Sequence, residues 1–199
     1  MPPEHHANVA GPLYSVLVRP RATIRAVVDR GASGTTVLAG SFGLVVALSI
    51  VAQNQNAARS VRFDLIPLPV GFVCGIAFLY VMGVLLRWTG NRLGGSGEGA
   101  AIRAAIAYSL VPLILSEALL ALYYFMGEKP GQTLFASALE LVGASLVIWS
   151  FPIFFVCLAE VHKFSIWKAL GCAGISLAVL TGAYLVCLAV IFAISLRYR

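Results

Sequence analysis

The sequence predicts an all-α, polytopic membrane protein with five transmembrane helices and an N-terminal amphipathic interfacial helix. The 199-residue chain is 60% hydrophobic and only 11% charged, whereas soluble domains are about 25% charged. Its mean hydropathy of +0.91 reflects more apolar surface than a soluble fold of this length can bury. Five long apolar segments recur along the chain, and the polar connections between them are too short to contain a soluble domain.

Residues 1–12 show no periodicity and are predicted to form a flexible tail. His5 and His6 lie in this tail without the further ligands that a metal site needs, so no metal is expected. The next stretch, residues 13–30, is too charged to cross a bilayer.

Residues 13–32 are instead predicted to contain the interfacial helix, which starts at Pro20 and stops at Gly31. Its apolar residues share one face: Ile24, Val27 and Val28. Three arginines lie away from that face: Arg21, Arg25 and Arg30. This pattern favours a helix whose arginines meet anionic lipid head groups, and a helix simply packed on the bundle is the alternative.

Residues 33–199 are predicted to form the transmembrane domain. Its five spans are placed at 33–53, 65–86, 104–126, 134–158 and 169–196. Small residues recur every fourth position in three stripes: Ala39, Gly43 and Ala47; Gly71 and Gly75; Gly174, Ala178 and Gly182. Such stripes let helices approach closely in lipid, either within one chain or in a dimer.

The third and fourth spans each carry an acid, Glu117 and Glu140, and the third is also broken at Pro112. An acid facing lipid is expensive, so the Glu117 side chain should face protein or water. Their depths are similar, so they can meet if the two helices pack antiparallel. Three interpretations stay open: a hydrogen-bonded structural pair, a proton or cation site, or two unrelated acids.

The distribution of Lys and Arg predicts an N-terminus inside and a C-terminus outside. On the predicted inner side lie Arg19, Arg21, Arg25, Arg30, Arg87, Arg92, Arg103, Lys163 and Lys168. On the predicted outer side lie only Arg59, Arg62, Lys129, Arg197 and Arg199. The basic residues form no dense cluster, so no nucleic acid is expected as a partner.

The loop GNRLGGSGEGAAIR lacks the lysine of a phosphate-binding loop and follows a membrane helix rather than a strand. We interpret it as a flexible cytoplasmic joint in which Ser96 caps the next helix. His162 has no Ser or Cys partner at a recognisable spacing and is interpreted as an interfacial residue. No catalytic residues and no cofactor are predicted, and the protein is not expected to be an enzyme.

The stretch GGSGEGAAIRAAIAYSLVPLI resembles the central signature of the Yip family, the Ypt/Rab-interacting five-span membrane proteins. The matching positions are Gly94, Gly95, Tyr108, Ser109 and Pro112. The stretch LVRPRATIRAVV resembles the N-terminal helix of bacterial members through Pro20, Thr23 and Ile24, and Pro152 in the fourth span is a third similarity.

This resemblance implies a five-span fold and, for the bacterial branch, an inner-membrane protein without an assigned reaction. Eukaryotic members are associated with Rab GTPases and vesicle trafficking, but the sequence lacks their long N-terminal cytosolic domain. We therefore expect a non-enzymatic, membrane-organising or partner-binding protein. Its expected partners are the lipid bilayer, anionic lipids, and other membrane proteins or a second copy of the chain. The alternative is a small transporter or channel that uses Glu117 and Glu140.

Overall fold

A computed structural model describes residues 12–58, 66–125 and 133–197 of the protein. These residues form eight helices and no strand: α1 (Pro12–Val18), α2 (Pro20–Asp29), α3 (Thr35–Ala58), α4 (Pro67–Arg92), α5 (Gly99–Ser109), α6 (Val111–Phe125), α7 (Leu134–His162) and α8 (Ile166–Arg197). Residues 1–11 of the predicted tail lie outside the described part.

Five helical stretches are long and apolar enough to cross a membrane, which confirms the predicted fold class. They are Thr35–Gln53, Pro67–Arg92, Gly99–Phe125, Leu134–His162 and Ile166–Ala189. Several of these helices are longer than predicted, and the extra residues lie at the end of the bundle where α4 ends and α5 begins. The prediction used hydropathy, which marks only the part of a helix that contacts lipid. The backbone hydrogen bonds of the helix continue past that part, through interfacial residues such as Arg87 and Glu160. The helix ends only where a glycine or a residue in the left-handed conformation interrupts these bonds.

The third span is interrupted, because α5 ends at Ser109 and α6 begins at Val111. Pro112 has no backbone N–H and its ring crowds the carbonyl of the preceding turn, which explains the break just before it. Pro152, in contrast, lies inside α7 without ending the helix.

The N-terminal segment forms two short helices separated at Arg19. Residues before a proline are pushed out of the helical region, and Arg19 accordingly has φ −133° before Pro20. α2 ends where predicted, because Gly31 adopts φ +84°. The amide of Gly31 donates to the carbonyl of Val28 at 2.9 Å.

Two of the predicted small-residue stripes pack against each other between α3 and α4. A Cβ on Gly43 or Gly75 would come closer than 3.0 Å to backbone atoms of the other helix. In the third stripe, no described atom lies within 4 Å of a Cβ placed on Gly174 or Gly182. The first two stripes therefore bring helices together within one chain, while the third lies on an exposed face of α8.

α8 is attached to the bundle mainly through its first turns. The Thr89 hydroxyl in α4 lies 3.0 Å from the Cys172 sulfur and 2.9 Å from the Ser176 hydroxyl. Beyond Ser176, every residue up to Ala189 is at least partly exposed. With only 11% of its most apolar window buried, α8 presents most of its surface to lipid.

Candidate functional site

One end of the bundle joins α2, the glycine-rich loop and the α7–α8 turn. Several polar contacts hold these elements together. Arg25 in α2 forms an ion pair with Glu160 in α7. The Ser96 amide donates to the carbonyl of His162 at 3.3 Å, and the Lys168 ammonium donates to the carbonyl of Leu93 at 3.3 Å. This is the end at which the sequence predicts the cytoplasm.

A crevice of 720 Å³ opens at this end between α2, α5 and α7. Its apolar lining comes from Ile24, Val28, Ala101, Ala159, Val161 and Phe164. Its charged lining comes from Arg21, Arg25, Asp29, Glu160 and Lys163. The crevice therefore combines an apolar surface with charges of both signs.

Arg25 and Glu160 differ in exposure, since 68% of the arginine side chain but only 19% of the glutamate side chain is accessible. The hydrogen bond and the negative charge of Glu160 raise the pKa of Arg25 above its ordinary value. Arg21 and Lys163 form no ion pair with any described residue, so they remain available to an anionic group in the crevice.

The apolar face of α2 contacts protein. Ile24 is fully buried and Val27 is 7% exposed. Both belong to a core cluster that includes Tyr108 of α5 and Cys157 of α7. Of the three arginines predicted on the opposite face, Arg21 and Arg25 line the crevice, whereas Arg30 is exposed outside it.

The glycine-rich loop closes tightly around His162, whose side chain is 1% exposed. The amide of Gly97 donates to Nδ1 of His162 at 3.3 Å. A Cβ on Gly90 would lie closer than 3.0 Å to the ring, and a Cβ on Gly97 would lie 3.0 Å from Nδ1. The Phe164 ring stacks on the imidazole with 4.9 Å between centroids.

This arrangement changes two interpretations made from the sequence. The glycines permit close packing rather than flexibility, and His162 is a buried core residue rather than an interfacial one. The residue before α5 is Glu98, without a side-chain capping hydrogen bond, so Ser96 is not the cap. Only Gly94 in this loop needs the left-handed conformation, with φ +84°.

Some of the positions that resemble the Yip signature lie at this end of the molecule, and the others lie further along the helices. Gly95 contacts His162, and Tyr108 and Ser109 are buried at the end of α5. The carbonyl of Pro20 accepts a long contact from the Cys157 sulfur at 3.9 Å. Pro112 is buried after the helix break, while Pro152 is exposed on α7.

Glu117 and Glu140 line one cavity of 240 Å³ between α6 and α7. Glu117 is half-buried and Glu140 is exposed. No hydrogen bond or ion pair joins either side chain to another described residue. The structure thus brings the two acids to one cavity without direct contact between them.

Sequence reasoning missed Glu160, Lys163 and the packing role of His162. Glu160 could have been noticed as an acid at the end of an apolar segment, beside a short loop. No sequence signal connects it with Arg25, which is 135 residues away. Among the described residues, no group of three His, Cys, Asp or Glu side chains lies close enough to hold a metal ion.

Comparison with curated proteins and with solved structures finds no match for this chain. The Yip1 domain matches residues 14–195. That range covers all five membrane spans, the crevice and the glycine-rich loop. The protein therefore belongs to the Yip family.

Proposed function

We propose that this protein is a non-enzymatic, membrane-organising protein that binds other membrane proteins through the crevice between α2, α5 and α7. The observation that carries this proposal is the 720 Å³ crevice, which combines apolar and charged side chains at one end of the bundle. We further propose that it resides in a bacterial inner membrane with this end in the cytoplasm, as the excess of Lys and Arg there favours.

The chemistry of the crevice defines the kind of segment that it accepts. Val28, Val161 and Phe164 are partly exposed and provide an apolar surface, on which an amphipathic helix can bury its apolar side. Arg21 and Lys163 provide cations without a carboxylate partner among the described residues. The proposed partner segment is therefore an amphipathic helix with acidic residues beside its apolar face.

Site-specific photo-crosslinking in native membranes tests this proposal. A photoreactive amino acid in place of Val28 should give a discrete protein adduct, because Val28 lines the crevice. The same amino acid in place of Ile175, on the exposed side of α8, is the matched control and should give none.

The adduct from position 28 should weaken when Arg21→Glu introduces repulsion against an acidic partner. An adduct of twice the chain's mass would identify a second copy as the partner. Lipid adducts alone at both positions would contradict the proposed function.

A transporter or channel is the second candidate, and it is favoured by the shared cavity of Glu117 and Glu140. A Glu117→Gln/Glu140→Gln variant keeps hydrogen-bonding capacity but removes both titratable groups. If the acids carry protons or cations, this variant should fold like the parent and lose pH-dependent flux in liposomes. A parent protein without flux of protons, sodium or potassium over about pH 5–8 would rule out this candidate.

A further inference from the structure

Two arginines, Arg87 of α4 and Arg103 of α5, converge beside Gly99, the first residue of α5. The Nη1 atom of Arg103 lies 3.5 Å, and that of Arg87 3.6 Å, from the position of a Cβ built on Gly99. The distance between the two Nη1 atoms therefore cannot exceed the sum of these two distances to the Cβ position. Two like charges from different helices are thus held close together.

The position of Arg103 is determined by packing rather than by attraction to a carboxylate. A Cβ on Gly83 would lie 2.9 Å from Cγ of Arg103. The aliphatic part of the Arg103 side chain therefore packs against α4 at a glycine, where no α4 side chain stands in its way. The guanidinium lies over the Tyr80 ring, 5.0 Å from its centroid. Neither Arg87 nor Arg103 forms an ion pair with a described residue.

Both arginines lie near the end of a membrane span, where lipid head groups are expected. Arg103 is four residues into the span that begins at Gly99, which is about 6 Å at the helical rise. Arg87 and Tyr80 are exposed, so this face of α4 is open to surrounding lipid. If the two arginine side chains only extended toward water, their guanidinium groups would be expected to point away from each other, because like charges repel.

We propose that Arg87 and Arg103 together bind the phosphate group of a membrane phospholipid. Guanidinium groups offer several N–H donors in a planar fork that matches phosphate oxygens. One phosphodiester between them, with its single negative charge, would be attracted to both guanidiniums and would reduce their mutual repulsion. This site is separate from the crevice, and the proposal does not depend on the proposed partner binding.

Native mass spectrometry of the purified full-length protein in detergent tests the proposal with phosphatidylglycerol as the probe. Replacing Arg87 by glutamine should weaken phosphatidylglycerol binding about fivefold, and Arg87→Gln/Arg103→Gln should weaken it about twentyfold. Arg92→Gln is the matched control, since Arg92 lies on Trp88 of the same helix, 5.1 Å from its ring centroid. It should leave binding unchanged.

Diacylglycerol, which lacks the phosphate, should bind the parent and both variants equally. Excess inorganic phosphate should not displace phosphatidylglycerol, because the proposed ligand is a lipid. Displacement by inorganic phosphate would overturn the lipid assignment. The exposed Arg87 can be replaced without disturbing the packed stem of Arg103, so unchanged binding in the Arg87→Gln variant would overturn the whole proposal.

Discussion

His162 illustrates how single residues determine the packing at the crevice end. Its imidazole occupies the space that the missing side chains of Gly90, Gly95 and Gly97 leave open. Its Nδ1 accepts the Gly97 amide, and its backbone carbonyl accepts the Ser96 amide. One residue at the end of α7 therefore fixes the conformation of the loop between α4 and α5.

We predict that Gly90→Ala destabilises the protein. The new Cβ would lie closer than 3.0 Å to the ring of His162, which is only 1% exposed. Overpacking of this kind costs about 1–3 kcal/mol. A lower thermal unfolding midpoint of the purified protein would show the loss.

Gly174→Ala is the matched control for this prediction, because no described atom lies within 4 Å of its new Cβ. It should leave the midpoint unchanged or raise it slightly, since alanine favours a helix. When His162 is also replaced by alanine, Gly90→Ala should lower the free energy of unfolding by less than it does in the parent protein. Equal costs in both backgrounds would contradict the clash with His162.

At the scale of elements, α1 and α2 contact α7 along part of its length, and not only at its C-terminal end. The Trp149 indole donates to the carbonyl of Leu17 at 3.1 Å, while Arg25 pairs with Glu160 near the end of α7. Because Trp149 precedes His162 by thirteen residues, the contact with α1 is about 20 Å along the helix from that end. The buried apolar face of α2 and this contact fix both short helices to the bundle.

We predict that apolar packing, more than charge, holds α2 in place. Ile24→Ala should cost about 2–5 kcal/mol, because Ile24 is fully buried. Arg21→Ala should change stability by less than about 0.5 kcal/mol, because Arg21 is exposed and unpaired among described residues. Thermal unfolding in detergent and the rate of trypsin cleavage after Arg30 measure both effects.

Faster cleavage after Arg30 in the Ile24→Ala variant would show that α2 has detached from α5 and α7. The Arg21→Ala variant is its charge-removing control and should be cleaved like the parent. Equal destabilisation by the two substitutions would contradict the packing account, since the charge of Arg21 would then contribute as much as the buried side chain of Ile24.

The sequence was sufficient to predict the helices but not the way in which their ends meet. Long apolar segments, the break near Pro112 and the stop at Gly31 follow from local physical chemistry. The crevice could not be predicted, because Arg25 and Glu160 come together only through packing across 135 residues. For the same reason, the glycine-rich loop could be located but its buried partner His162 could not.

At the scale of the whole molecule, the five spans predict that the two ends of the chain lie on opposite sides of the membrane. Reporter fusions should place residues 1–12 and the loop at Gly95 inside and residue 199 outside. The excess of Lys and Arg around α2, the glycine-rich loop and the α7–α8 turn is the reason for this orientation.

Protease protection of the same fusions in sealed vesicles is an independent check on this topology. A fusion within the glycine-rich loop should behave like one at the N-terminus. Finding both termini on one side would contradict the assignment of five spans.

The attachment of α8 has a consequence for bilayers of different thickness. Ala169, Cys172 and Ser176 anchor its first turns, while every residue of the stretch that follows is at least partly exposed as far as Ala189. A helix that is longer than the local hydrocarbon layer can lower its mismatch by inclining. In a thinner membrane, α8 can therefore incline about the Thr89 contacts while the crevice and the enclosed histidine keep their geometry.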